Sequence, residues 1–322
     1  MKFRILPIVG DASFRKFYRL ILNKTSKIIL TAQKEKYKNL IAYSGINKYL
    51  RSKTILAPKL YAYNFSKGLI VIEDFGDFSY YKKLLIKKNK FYLYKKIINQ
   101  LLKIQTIKPK TKIRNINKTT HAIQLYSNKH LFKESNLFFD WYLPLFFTNK
   151  KALSIKVKAN KILLQIYNKL NFSNSYFVHR DFHAQNLMCV GKKIGIIDSQ
   201  DALIGNPAYD LVSLIDDVRI KTPEKLKNRI YNYYVKKTPI IGKNNEAKFL
   251  QDFQILSVQR SLKIIGIFSR LFKRDKKSQY LRFIPYTWQL IEMRMKGNIF
   301  SELKKVLDSN ITKKIRKKNI SK

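Results

Sequence analysis

His179-Arg180-Asp181-Phe182-His183-Ala184-Gln185-Asn186, then Leu187-Met188-Cys189-Val190, Gly191-Lys192-Lys193 and Ile194-Gly195-Ile196-Ile197-Asp198, is the stretch on which the fold turns. Two short apolar runs flank a glycine-bearing turn, which predicts a β-hairpin. Asn186 stands just before the first run and Asp198 just after the second, so antiparallel pairing brings both to one end of the ribbon. Asp181 lies on the loop that precedes them. Three oxygen-bearing side chains thus converge at one rim. Such a set suits Mg²⁺, which takes oxygen ligands and leaves room in its octahedron for waters and phosphate oxygens.

His-Arg-Asp followed by four residues and Asn, with a later metal-binding Asp, is the catalytic-loop pattern of protein kinases. Charge divides the labour. Asp181 is the candidate catalytic residue, orienting an acceptor hydroxyl and taking its proton late in transfer. Asn186 is a neutral metal ligand that adds no repulsion against a nucleotide, and Asp198 is the anionic one. Phosphoryl transfer requires mainly positioning and electrostatic stabilisation, so this small set suffices. A lone Asp is usually a loop cap or a surface charge; the whole constellation outweighs that reading. His179 and His183 have no third or fourth ligand nearby and read as hydrogen-bonding braces of the loop. Cys189, inside an apolar strand, reads as packing, and Asp210 as a structural carboxylate that caps a helix or ties down the loop.

Outward from this segment, the chain divides by pattern. Ser13 to Ile21 and Lys27 to Thr31 are β-rich runs separated by Asn23 to Ser26, as in a hairpin. A helix with Tyr37, Leu40 and Ile41 on one face follows, ending before Pro58. Leu69 to Ile72, between Gly68 and Gly76, is a buried-type strand. Beyond Gly76 the pattern is mostly helical: Ile162, Leu163, Ile166, Tyr167 and Leu170 form one apolar stripe, and Val258, Leu262, Ile265 and Phe272 another. The expected fold is α+β and bilobal, protein-kinase-like. A small sheet-rich nucleotide-binding lobe spans residues 1–75, a larger helical catalytic and substrate lobe 76–308, and a basic tail 309–322. A cleft between such lobes is a natural ligand site.

The 322 residues include 66 Lys or Arg against 20 Asp or Glu, a formal net charge of +46. Positive potential of that size attracts anions, nucleic acid and acidic membrane surfaces. The lysines are scattered among Ile, Asn and Tyr rather than gathered in a stripe, which points to compositional drift and not to a dedicated nucleic-acid surface. Lys313 to Lys322 is the denser exception and reads as a solvated, frayed tail. No apolar run is long enough to span a membrane, the apolar start is too short for a secretory signal, and one cysteine excludes an intrachain disulfide. A cytoplasmic protein is expected; no oligomeric state is assigned.

Residues His179 to Asn186, Ile197 to Ala202 and Gly205 to Asp210 resemble the aminoglycoside phosphotransferase and choline kinase superfamily. The nearer likeness is to bacterial anomeric kinases of N-acetylmuramate and N-acetylglucosamine, through Gly10 to Arg19, Phe139 to Leu143, and Val258 to Asp275. The resemblance implies ATP and Mg²⁺ as cofactors. It implies that the first hairpin, with Ser13, Arg15 and Arg19, covers the phosphates, and that Glu73 to Phe75 form the hinge that binds adenine through backbone groups. Relatives in the wider superfamily carry a phosphate-binding lysine on the third strand, whereas Ile28-Ile29-Leu30-Thr31-Ala32 has none; Arg15 or Arg19 is left to supply the charge. Ser199 stands where nearer relatives carry an aromatic residue, and Gln185 where they often carry Arg.

A cationic aminoglycoside needs a carboxylate-rich pocket, so this composition favours a neutral or anionic acceptor. N-acetylmuramate, with its lactyl carboxylate, fits. Asp140 and Asp201 are the candidate substrate contacts, Asp140 being equally readable as a helix-surface carboxylate beside core aromatics. The expected function is transfer from ATP to the anomeric hydroxyl of an amino sugar in cell-wall recycling. The alternatives are a kinase of choline, homoserine or an aminoglycoside, and a non-catalytic kinase-shaped protein that holds nucleic acid or acidic membrane.

Overall fold

The computed structural model describes residues 3–8, 15–23, 25–32 and 37–318; Ser13, expected at the phosphates, lies outside them. The chain falls into two compact units, Met1–Gln124 with Tyr176–Ile204, and Leu125–Ser175 with Gly205–Lys322.

The first unit is built on a five-stranded antiparallel sheet of order β1-β2-β3-β5-β4. The strands are β1 (Phe3–Ile8), β2 (Lys16–Leu22), β3 (Thr25–Thr31), β4 (Leu60–Asn64) and β5 (Leu69–Glu73). The expected β2–β3 hairpin forms with Leu22 opposite Thr25, and Asn23 takes the left-handed φ of 51° that a tight turn requires. Helix α1 (Tyr37–Ser52) lays Leu40 and Tyr43 on the sheet, where they meet Leu30, Ile70 and Ile72 in an apolar core. Both edge strands escaped the sequence reading. Nearly every residue of β1 and β4 is exposed, so neither carries the in–out alternation that marks a half-buried strand.

Residues beyond 75 join this unit: α2 (Tyr80–Ile86), α3 (Lys90–Gln105), a ribbon of β6 (Lys112–Arg114) and β7 (Thr120–Ala122), then β8 (Tyr176–Val178), β9 (Leu187–Val190), β10 (Lys193–Ile196) and β11 (Leu203–Gly205). The compact unit therefore continues past residue 75. Backbone hydrogen bonds are the cause: Cys189 N–H donates to Phe78 O at 2.9 Å and Ile196 N–H to Leu56 O at 2.8 Å. These stitch the β9–β10 hairpin to the segments after α1 and β5.

The second unit is helical, with α4 (Asn128–Leu137), α5 (Asn149–Tyr167), α6 (Ala208–Ile215), α7 (Glu224–Lys237), α8 (Glu246–Asp275), α9 (Ile284–Arg294), α10 (Ser301–Asn310) and α11 (Lys313–Lys317). The expected stripes bury Leu163, Ile166 and Tyr167 of α5, and Val258, Leu262 and Ile265 of α8. Helix α8 passes very close to the end of α4: a Cβ built on Gly266 would lie 2.3 Å from the Leu137 carbonyl carbon and 2.5 Å from Phe138 N. Because the obstruction is backbone, neighbouring rotamers cannot relieve it. Gly266→Ala is expected to destabilise the protein by about 3 kcal/mol, the upper end for overpacked cores, read as a lower denaturation midpoint.

The basic end is not a frayed tail as far as residue 318. Thr312 caps α11, and Arg316 is buried with Nη1 2.8 Å from Glu292 Oε1, Nη2 2.6 Å from Asp308 Oδ1 and its guanidinium 4.8 Å from the Trp288 ring centroid. Glu292 is the acidic partner that a count along the chain missed.

Candidate active site

The expected β9–β10 hairpin forms, with Leu187 opposite Ile196 and Val190 opposite Lys193, closing through Gly191 at a φ of 55°. The ladder continues one step further, Ile197 N–H donating to Asn186 O at 3.1 Å, so Asn186 and Asp198 do reach the same end of the ribbon. Asp181 is tied to Asn186 through its backbone: its carbonyl accepts Asn186 Nδ2–H at 3.0 Å and His183 N–H at 2.9 Å. With Nδ2 spent inward, Asn186 keeps Oδ1 as its remaining head. Asp198 and Arg180 both hold positive φ, 67° and 73°. Non-glycine residues pay of order 1–3 kcal/mol for sparsely populated backbone and retain it where the surroundings over-determine it, often at functional sites.

His179 braces the loop as expected, its Nε2–H donating to Ile197 O at 3.0 Å, and His183 is buried with Nε2 3.5 Å from Asn186 Nδ2. Ser199, where an aromatic residue was the family expectation, is fully buried and donates to Asn47 Oδ1 of α1 at 2.7 Å. Asn47 and Tyr43, one turn apart on α1, thus support this segment. Burial pushes the Tyr43 phenol up to about 12, so it stays neutral. A polar residue on the apolar face of α1 was the signal for this, and the sequence reading passed over it.

The two arginines of β2 and its approach go to different carboxylates. Arg15, whose side chain is only 6% exposed, pairs through Nη2 with Asp198 and donates from Nη1 to Gln200 Oε1 at 3.0 Å. Arg19 instead bonds Asp74 Oδ2 at 2.6 Å and Asp77 Oδ2 at 2.7 Å. Hydrogen bonds to Asp77 and Asp74 raise its pKa, and it holds the Asp77 carboxyl below the usual range. Burial alone would raise the Asp74 carboxyl; Arg19, Ser26 and the Gly76 N–H outweigh that and lower it. Arg19 therefore anchors the segment after β5 rather than standing beside Asp198.

At the end of β5, Glu73 accepts from Arg51 Nη1 and from Lys59 N–H, both at 3.1 Å. The Phe75 ring lies against Gly195, where an added Cβ would meet it at 2.7 Å. Asp201, exposed, accepts from Gln200 Nε2 at 3.0 Å. Asp140 lies in the second unit, on the π-helical turn Phe138–Tyr142, exposed and paired with Lys156 Nζ at 2.6 Å. Asp210 is buried in the first turn of α6. A groove of about 680 Å³ lined by Arg51, Lys96, Lys103, Lys192 and Lys193 includes none of the candidate site residues.

The donor chemistry fits magnesium. Among the described residues no three His, Cys, Asp or Glu side chains gather to hold a metal, so a cage made by the protein alone is absent. An Asn amide oxygen and an Asp carboxylate at one hairpin end, completed by waters and phosphates, are what this cation takes.

The chain is similar to known proteins both in sequence and in fold. N-acetylmuramate/N-acetylglucosamine kinase of Caulobacter vibrioides is 28% identical over 272 residues, covering 83% of this chain and 74% of its own. The enzyme of the same name from Pseudomonas aeruginosa is 27% identical over 293 residues, covering 89% and 82%. Among solved structures, ADP-bound aminoglycoside phosphotransferase APH(2'')-Ib superposes with a TM-score of 0.60 at 12% identity over 91% of this chain and 94% of that one. Plasmodium vivax ethanolamine kinase does so with a TM-score of 0.61 at 12% identity over 93% and 84%. These last two share the fold. The profile of the phosphotransferase enzyme family matches residues 4–239, most of the chain, and the chain belongs to that family.

Proposed function

We propose that this small-molecule kinase transfers the terminal phosphoryl group of ATP, with Mg²⁺, to the anomeric C1 hydroxyl of N-acetylmuramate or N-acetylglucosamine in cytoplasmic cell-wall recycling. The observation that carries the reading is the meeting of Asn186 and Asp198 at one hairpin end with the Asp181 loop tied to Asn186. The names of the curated relatives support the acceptor class. So does the excess of 66 basic over 20 acidic residues, which draws an anionic sugar and repels a polycation.

In this mechanism the Asp181 carboxylate accepts a hydrogen bond from the acceptor hydroxyl, aligns it for in-line attack and takes its proton late. Asn186 Oδ1 and the Asp198 carboxylate would hold the metal, which would supply positive charge to neutralise the phosphates. The backbone of Glu73 to Phe75 binds adenine, with the Phe75 ring fixed against Gly195. Asp201, in the same unit as Asp181 and Asp198, is assigned to the sugar hydroxyls.

Purified protein incubated with ATP, Mg²⁺ and N-acetylmuramate should yield the sugar 1-phosphate, identified by its phosphorus resonance and its lability to mild acid. No turnover on either amino sugar, alongside turnover on another alcohol such as choline or homoserine, would remove the acceptor assignment and leave the kinase assignment standing.

A further inference from the structure

We propose that Arg15 is the cation that binds the nucleotide phosphates in this chain, in place of the lysine missing from β3; the proposal rests on the kinase reading above. Alternation along β3 puts Ile28, Leu30 and Ala32 on the face packed against the apolar core. The strand's one lysine, Lys27, has the opposite parity, its Nζ 4.6 Å over the Tyr61 ring. No cation on β3 therefore faces the Leu30 side.

Arg15, Phe17 and Arg19 share one face in β2 and its approach, and Phe17 packs on that same core. Arg19 is committed to Asp74 and Asp77. Arg15 is the member of the series that reaches the catalytic hairpin. Its guanidinium stands 5.7 Å from the Phe17 ring centroid and 5.9 Å from that of Tyr43, with Gln200 Oε1 fixing Nη1 and the Asp198 carboxylate on Nη2. Rings and amide set the direction of the charge; the carboxylate is its resting acceptor.

That acceptor is the metal-ligand candidate. A divalent ion on Asp198 claims the oxygens that the guanidinium holds, and the two cations repel. A buried guanidinium then needs another anion within reach, and a phosphate oxygen is bound by the same planar fork as a carboxylate. A metal–nucleotide complex supplies both at once: cation to Asp198, phosphate to Arg15. Phe17, Tyr43 and Gln200 stay in place during the exchange.

Calorimetric titration of the full chain with Mg–ATP and with adenosine tests this. Arg15→Met is expected to weaken Mg–ATP about 10- to 100-fold, the loss of one or two charge-assisted hydrogen bonds, with adenosine affinity unchanged. Unchanged Mg–ATP affinity, or an equal loss for both ligands, would overturn the proposal and leave Arg15 a structural counter-ion. If Arg15→Met fails to fold, Arg15→Gln decides, because it removes the charge and keeps a polar head able to reach Gln200. A loss selective for Mg–ATP supports the assignment, and a parallel loss or none overturns it. Wild-type protein that binds no Mg–ATP would remove the kinase reading itself, a result separate from any effect at Arg15.

Discussion

Asp181→Asn is expected to lower kcat by about 10²–10⁴-fold, the range for a positioned general base. The amide is nearly isosteric, and the Asp181 backbone carbonyl, which the substitution leaves intact, accepts hydrogen bonds from Asn186 Nδ2 and His183 N–H that organise the loop. The loop should therefore keep its shape, and the denaturation midpoint should stay at the wild-type value. KM for the acceptor should change less than kcat, because the lost interaction strengthens as the hydroxyl gives up its proton. Steady-state assays with the acceptor varied, paired with a melt, check both statements. Full activity in this variant would reject the assigned role.

Asp216→Ala is expected to cost about 3–5 kcal/mol of stability, the range for a buried ion pair with one partner removed. Asp216 follows α6 and is almost wholly buried, and its carboxylate accepts from Arg294 Nε at 2.9 Å, Lys227 Nζ at 2.9 Å and Ser257 Oγ at 2.7 Å. It joins α7, α8 and α9, and its removal leaves two buried cations without their shared anion. Chemical denaturation of the full chain, followed by circular dichroism, measures the shift.

The same carboxylate predicts a pH dependence. Burial alone would raise its pKa, but Lys227 and Arg294 outweigh burial and hold it well below the ordinary carboxylate range. A carboxyl whose folded pKa is depressed contributes stability that is complete above its unfolded value, about 3.9, and is lost as pH falls through the folded value. The gap between wild type and Asp216→Asn should therefore be full at pH 6 and narrow steadily below about pH 4. A gap that stays constant into acid would remove this linkage.

How much of this was legible from the residues depends on distance along the chain. The β9–β10 hairpin was, because two apolar runs, a glycine and two flanking polar residues lie within a dozen positions and pairing is dictated locally. The long helices were, through their apolar stripes. The edge strands β1 and β4 were not, since exposure on both faces erases the alternation that burial imposes. The α11 contact was misread because charge counted along a line says nothing about Glu292, which lies 24 positions from Arg316 and meets it only when α9 and α11 pack.

By itself, then, the sequence determined the two-part α+β character and the local ribbon that carries Asn186 and Asp198 to one end beside Asp181. Period, turn chemistry and spacing are short-range properties, and each is written in adjacent residues. Only the tertiary structure decided which of two equivalent arginines meets the hairpin. Arg15 and Asp198 are 183 positions apart and Arg19 and Asp74 are 55 apart, and both arginines lie on one face of the same strand and its approach. Buried charge seeks whatever opposite charge the packed sheet and helices bring within reach, and no pattern of neighbours in the chain encodes that choice.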